Sequence, residues 1–149
     1  MTTFAFTELV NGQPADVVSA ALGVNAAGKF VAADIGKPVK LGTVQNYVLA
    51  AAGDDIEGFV QALDAYTVND GFSFGAVLRN TCVVATVDAA QVGNIAVGAL
   101  VVAGASAALG TADAYPKVKS GAPVTYKWRV LRIITGAGAA GSTILIEKV

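Results

Sequence analysis

The chain has 149 residues, of which 54% are hydrophobic and only 14% charged, where a globular protein carries roughly a quarter charged residues; that is enough chain for one domain with a core, and far too apolar for disorder. Ten Lys and Arg against eleven Asp and Glu leave a formal charge of −1, which argues against a nucleic-acid binder in need of a basic surface. The absence of histidine removes imidazole catalysis and most zinc and copper sites, and the single cysteine, Cys82, leaves no intramolecular disulfide.

Taken from the start, residues 4–10 (FAFTELV) read as a strand, and the Ala-rich run Asp16–Leu22 could form a short helix, since it ends at Gly23, which resembles a C-cap. The first basic residue is Lys29, so the N-terminal stretch lacks the positive region of a secretory signal. Strands are expected at 29–33, Pro38–Leu41 and 47–52. Ile56, Phe59, Val60 and Leu63 fit a helical spacing, but Gly58 would cost a helix about 1 kcal/mol and the alternation also fits a strand, which is the preferred reading. Further strands follow at 73–78, Cys82–Val87 and 99–103.

Residues 89–112 carry no charge and are long enough to span a bilayer, yet glycines and polar residues interrupt them and no Lys or Arg cluster flanks them. Buried strands joined by glycine turns are expected there instead. Residues 125–135 and 142–149 should form a closing hairpin, with Tyr126, Trp128, Val130, Arg132 and Ile134 on one face of its first strand. Turn chemistry at Asn11-Gly12, Asp54-Asp55 and Asp70-Gly71 punctuates the whole. No repeat of solenoid length and no linker is visible. The expected fold is all-β with little helix: a small β-sandwich or β-barrel, jelly-roll-like, comprising an extended N-terminal arm with the first strands (1–32) and a β domain (33–149).

Chemistry is sparse. Asp54, Asp55 and Glu57 form an acidic cluster without the D-x-D-x-D-G pattern of a calcium loop, so a turn is the expected role. Cys82 lacks a histidine base and reads as a small buried hydrophobe. No G-x-S-x-G or S-x-x-K motif is present, and Gly136-Ala137-Gly138 lacks the context of a dinucleotide loop. No enzyme activity and no cofactor are expected; the enzymatic alternative would use Asp54, Asp55 or Asp70 as acid and base. Basic side chains gather late, at Lys117, Lys119, Lys127, Arg129 and Arg132, beside Tyr126 and Trp128. They form either a solvated strand face or a patch that docks on an acidic partner. Low charge with high apolarity points to a homo-oligomer.

The ordered segments DIGKPVKL (34–41), NYVLAAAGDDIEGFV (46–60), NDGFSFGAV (69–77), VGALVVAG (97–104) and YKWRVLRI (126–133) together resemble the head decoration, or capsid cement, proteins of tailed bacteriophages. The resemblance runs from about residue 33 to the end and lies in order and spacing rather than in any single motif. It implies a structural virion protein, made in the host cytoplasm, that sits on the capsid exterior and bridges major capsid proteins against internal DNA pressure. Its partners would be the major capsid protein and further copies of itself in a dimer or trimer, with neither nucleic acid nor membrane. Phe4 and Phe6 on an N-terminal arm, with Tyr126, Lys127, Trp128, Arg129 and Arg132, are the expected partner-binding residues. The alternative is another phage structural β-module, such as a tail tube, fibre or head–tail joining protein.

Overall fold

The computed structural model describes residues 16–22, 30–43, 46–63 and 73–149. The expected strand at 4–10, with Phe4 and Phe6, lies outside the described residues. Ten strands follow in chain order: β1 (Asp16–Leu22), β2 (Pro38–Leu41), β3 (Tyr47–Leu49), β4 (Gly58–Leu63), β5 (Ser73–Asn80), β6 (Cys82–Val87), β7 (Leu100–Ala103), β8 (Lys117–Ser120), β9 (Trp128–Thr135) and β10 (Thr143–Lys148). A 3-10 turn, Ala32–Asp34, precedes β2. Apart from that turn the described residues are all-β, as expected, and they adopt the barrel alternative twice.

Strands β1 to β5 close into one barrel in the order β1-β3-β2-β4-β5, and β6 to β10 close into another in the order β6-β8-β7-β9-β10. In each, the first strand runs parallel to the third and antiparallel to the fifth, and every other neighbouring pair is antiparallel. The second barrel therefore repeats the first strand for strand, and Thr81 alone separates β5 from β6. Closure leaves neither sheet with a continuous open edge.

The repeat extends to single hydrogen bonds. Gly36 N–H donates to Val60 O at 2.7 Å and Val60 N–H returns to Lys37 O at 3.1 Å; Gly98 N–H donates to Val130 O at 2.7 Å and Val130 N–H returns to Ala99 O at 2.9 Å. Both glycines are left-handed, with φ of 95° and 86°, a conformation that other residues resist at this entry to the second strand of each barrel. Even the irregularity recurs. Pairing jumps from Val60↔Val77 to Ala62↔Ala76 in the first barrel and from Val130↔Ile146 to Arg132↔Leu145 in the second, so Gln61 and Leu131 are equivalent β-bulges.

The two barrels interlock. Val39, Tyr47, Val60 and Val77 fill the first with Phe30, and Leu109, from the β7–β8 connection of the second barrel, packs against them. In return Ala50, Ile56 and Phe59 of the first barrel join the core of the second, around Trp128. Trp128 is fully buried; its indole N–H donates to Ile56 O at 2.9 Å and its ring meets Phe59 edge-on at a centroid distance of 5.0 Å. Residues 53 and 54 run beside the end of β7, with Gly53 N–H donating to Ala103 O at 2.9 Å and Ala103 N–H to Asp54 O at 3.0 Å.

A buried ion pair fastens the other side. Lys37 and Asp34 are both wholly inaccessible, 2.7 Å apart. The Lys37 ammonium also donates to the carbonyls of Ala107, Ala108 and Thr111 at 2.7–3.0 Å, while Asp34 accepts the N–H groups of Val31 and Gly110. Every charge removed from water thus meets partners, the condition under which burial is tolerated.

Several expectations need correction. Asp16–Leu22 is a strand rather than a helix, because pairing along its length with β5 outweighs the helical preference of its alanines. Of the strand expected at 29–33, the described residues 30–33 form none: Asp34 takes the Val31 N–H at 2.9 Å and turns the chain into the 3-10 element. Strand β9 begins at Trp128 rather than at 125, since the Asp55 carboxylate holds the preceding backbone amides. The bulge at Leu131 breaks the alternation read from sequence: Trp128 and Val130 enter the core with Ile133, while Arg132 and Ile134 are exposed. Strand β4 confirms the strand reading of 58–63. Within 89–112 lies β7, and among the described residues no helix is long and apolar enough to cross a membrane.

Candidate interaction surface

A cleft of about 510 Å³ opens at the seam between the barrels, walled by Lys40, Leu41 and Asp54 on one side and by Val124, Thr125 and Tyr126 on the other. Leu41 and Val124 are 55% and 83% exposed, unusual for aliphatic side chains facing one opening. A smaller recess of about 300 Å³ continues from it past Glu57 and Tyr126 to Arg79, Asn80 and Lys148. The Lys148 ammonium lies 4.5 Å from the centre of the Tyr126 ring, within cation–π range.

The acidic cluster that the sequence singled out lines this seam, and each carboxylate has a separate structural task. Asp54 accepts the Ala51 N–H at 2.8 Å and pairs with Lys40 at 2.6 Å. Asp55 accepts the amides of Val124, Thr125 and Tyr126, the shortest at 2.7 Å. Glu57 accepts Leu41 N–H at 3.0 Å and the Tyr47 hydroxyl at 2.9 Å. Burial alone would raise the Asp54 and Asp55 pKa values, but the Lys40 contact at Asp54 and the three backbone donors at Asp55 outweigh it and hold both carboxyls below the usual range. Burial, reinforced by Glu57, raises the Tyr47 hydroxyl. Among the described residues no group of three or more His, Cys, Asp or Glu is placed to hold a metal ion.

Beside the seam runs a basic strip on the outer wall of the second barrel. On β8, Lys117 and Lys119 flank the buried Val118. Across β7, Lys119 is in register with Val102, and Leu100 is in register with Arg129 on β9. Lys127 stands one residue before β9, and the bulge turns Arg132 outward beyond Arg129. Asp113 meets Lys117 at 3.4 Å, and Glu147 accepts from Arg129 Nε at 2.6 Å. Lys119, Lys127 and Arg132 have no ion-pair partner among the described residues.

The five expected site residues within the described part are thus divided. Lys127, Arg129 and Arg132 share the strip, Tyr126 is half-buried in the cleft, and Trp128 is removed to the core as the bolt between the barrels. Alternation explains the split, since residues on either side of a strand position face opposite ways. Lys117 and Lys119 belong to the same strip although a dozen residues separate them from Arg129. The Lys-Val-Lys alternation is the only sequence sign of their strand. Cys82 is buried with Val84 and Leu145 in a third apolar cluster against the half-buried Tyr115 and Leu131.

No family model matches the chain, and no curated protein and no solved structure matches it.

Proposed function

We propose that this protein is a capsid cement protein, which binds the outside of an assembled phage head and ties neighbouring major capsid proteins together. The observation that carries the reading is the ordered set of resembling segments between 34 and 133. The architecture is compatible with it. Segment 34–41 supplies the buried ion pair and β2, segment 46–60 supplies the loop that enters the second barrel, and segment 126–133 supplies Trp128 and the basic strip. A cement protein works through area and rigidity. Two interlocked barrels present a stiff surface, so little ordering entropy is lost on docking. Attachment at many symmetry-related positions multiplies a modest single-site affinity, and a ligand that binds only the assembled shell stabilises it by mass action.

The test is co-sedimentation of the purified protein with empty shells of the cognate major capsid protein, together with the melting temperature of the decorated shells. Co-sedimentation in hundreds of copies per particle and a raised melting temperature are the expected results. A protein that ignores shells but is recovered in few copies on tails would transfer the reading to a tail or joining module.

A further inference from the structure

We infer that the strip Lys119–Lys127–Arg132, on the outer wall of β8, β7 and β9, is the docking face and that its partner is a carboxylate-rich protein surface on the shell. The inference rests on the cement reading and adds to it the place of contact and the chemistry of the partner. The chain holds ten Lys and Arg in all, and five of them, Lys117, Lys119, Lys127, Arg129 and Arg132, stand on this one wall. Two are met by Asp113 and Glu147 and the buried Asp88 carboxylate feels Lys117 and Lys119, so five cations against three carboxylates still leave a positive excess on strands held rigid by a closed barrel.

The wall is also partly apolar. Leu100, half-buried, is in register with Arg129, whereas Val102, in register with Lys119, is itself buried beneath the wall. With a formal charge of −1 over the whole chain and a half-buried leucine among its cations, the strip suits a local cluster of carboxylates on a protein better than the extended phosphate track of a nucleic acid. Charge complementarity of this kind sets orientation and the rate of encounter, and salt weakens it. Attachment to the shell is therefore sensitive to ionic strength.

The experiment compares the full-length protein with Lys119→Glu/Lys127→Glu/Arg132→Glu, and with a charge-keeping variant Lys119→Arg/Lys127→Arg/Arg132→Lys. Binding is measured to empty shells, to immobilised poly-L-glutamate and to duplex DNA, at low and high NaCl. The reversal should lower affinity for shells and for polyglutamate at least about tenfold, the scale of a few lost charge contacts. The charge-keeping variant should bind like the original, and all three proteins should melt at similar temperatures. A reversed variant that decorates shells with undiminished affinity overturns the inference while leaving the cement reading intact. Retention on DNA in preference to polyglutamate overturns the choice of partner. Should the original protein ignore shells altogether, the cement reading falls, and its behaviour on polyglutamate still decides what the strip recognises.

Discussion

Lys37 shows how a single residue can depend on a distant part of the chain. Its ammonium sits among Asp34 and three carbonyls of the 107–111 segment with no access to water. Lys37→Ala leaves Asp34 buried and short of its counter-charge, so we expect a loss of about 3–5 kcal/mol in denaturant unfolding. The double change Asp34→Ala/Lys37→Ala should cost less than the two single changes combined, because it leaves neither charge alone. Trp128→Ala should cost a similar amount, about 3–5 kcal/mol, for a large aromatic removed from a fully packed site. The carboxylates give a pH signature. Asp54, Asp55 and Asp88 all have folded pKa values below the unfolded value of about 3.9. Their contribution is complete above that value and is lost as pH falls through the folded pKa values, so the melting temperature should drop on acidification below about pH 4. Asp55→Asn should flatten that dependence. Tyr47 acts at the other end: its raised pKa favours the neutral hydroxyl in the folded state, and stability should fall above about pH 10. None of these roles could be read from the sequence, where D-I-G-K looks like a solvated turn and Asp55 like one of several turn acids. Burial of a charge is set by what folds over it, and the covering segment lies some seventy residues away.

Strands were legible wherever local pattern and tertiary pairing agree. Pro38–Leu41 and Cys82–Val87 have the bounds expected of them, since β-branched residues between turn signals already fit a pleated surface. β1 was not legible, because alanines favour a helix until β5 offers them partners. The bulges decide which residues are inside. Deleting Leu131 would remove the bulge and restore strict alternation, with Val130 and Ile133 still inward and Arg132 still outward. We expect such a deletion to keep cooperative folding and the near-ultraviolet signal of Trp128 while lowering the melting temperature, because it takes Leu131 away from Cys82, Val84 and Leu145. Leu131→Ala keeps the bulge and loses the same contacts. Insertions at the tip of the 136–141 loop should be tolerated, since residues 139–141 are exposed, although Gly138 touches Ile95 too closely to accept a side chain.

At the scale of the molecule, the duplicated topology escaped the sequence reading for two reasons. Equivalent positions share few identities, Gly36/Gly98, Val39/Val101, Gly42/Gly104 and Val60/Val130 among them, and only backbone geometry reveals the correspondence. The connection between the second and third strands is also unequal: residues 42–46 in the first barrel against 104–116 in the second. That longer connection is the part that reaches across to carry Leu109 into the first barrel. Because each core is completed by the other barrel, calorimetry should show one unfolding transition with equal calorimetric and van't Hoff enthalpies. Replacing 105–113 with a tight turn should keep one transition but lower its temperature, because Ala50, Ile56 and Phe59 still complete the second core while the first loses Leu109. The unequal connection also sets a schedule for synthesis. As the chain leaves the ribosome, all five strands of the first barrel emerge before the segment that supplies Leu109 and the carbonyls around Lys37. The nascent first barrel therefore waits with an unsealed end and a wet lysine until the 107–111 segment has itself cleared the exit tunnel, and arrest of the ribosome before that point should leave it open to protease, whereas the released chain should resist it.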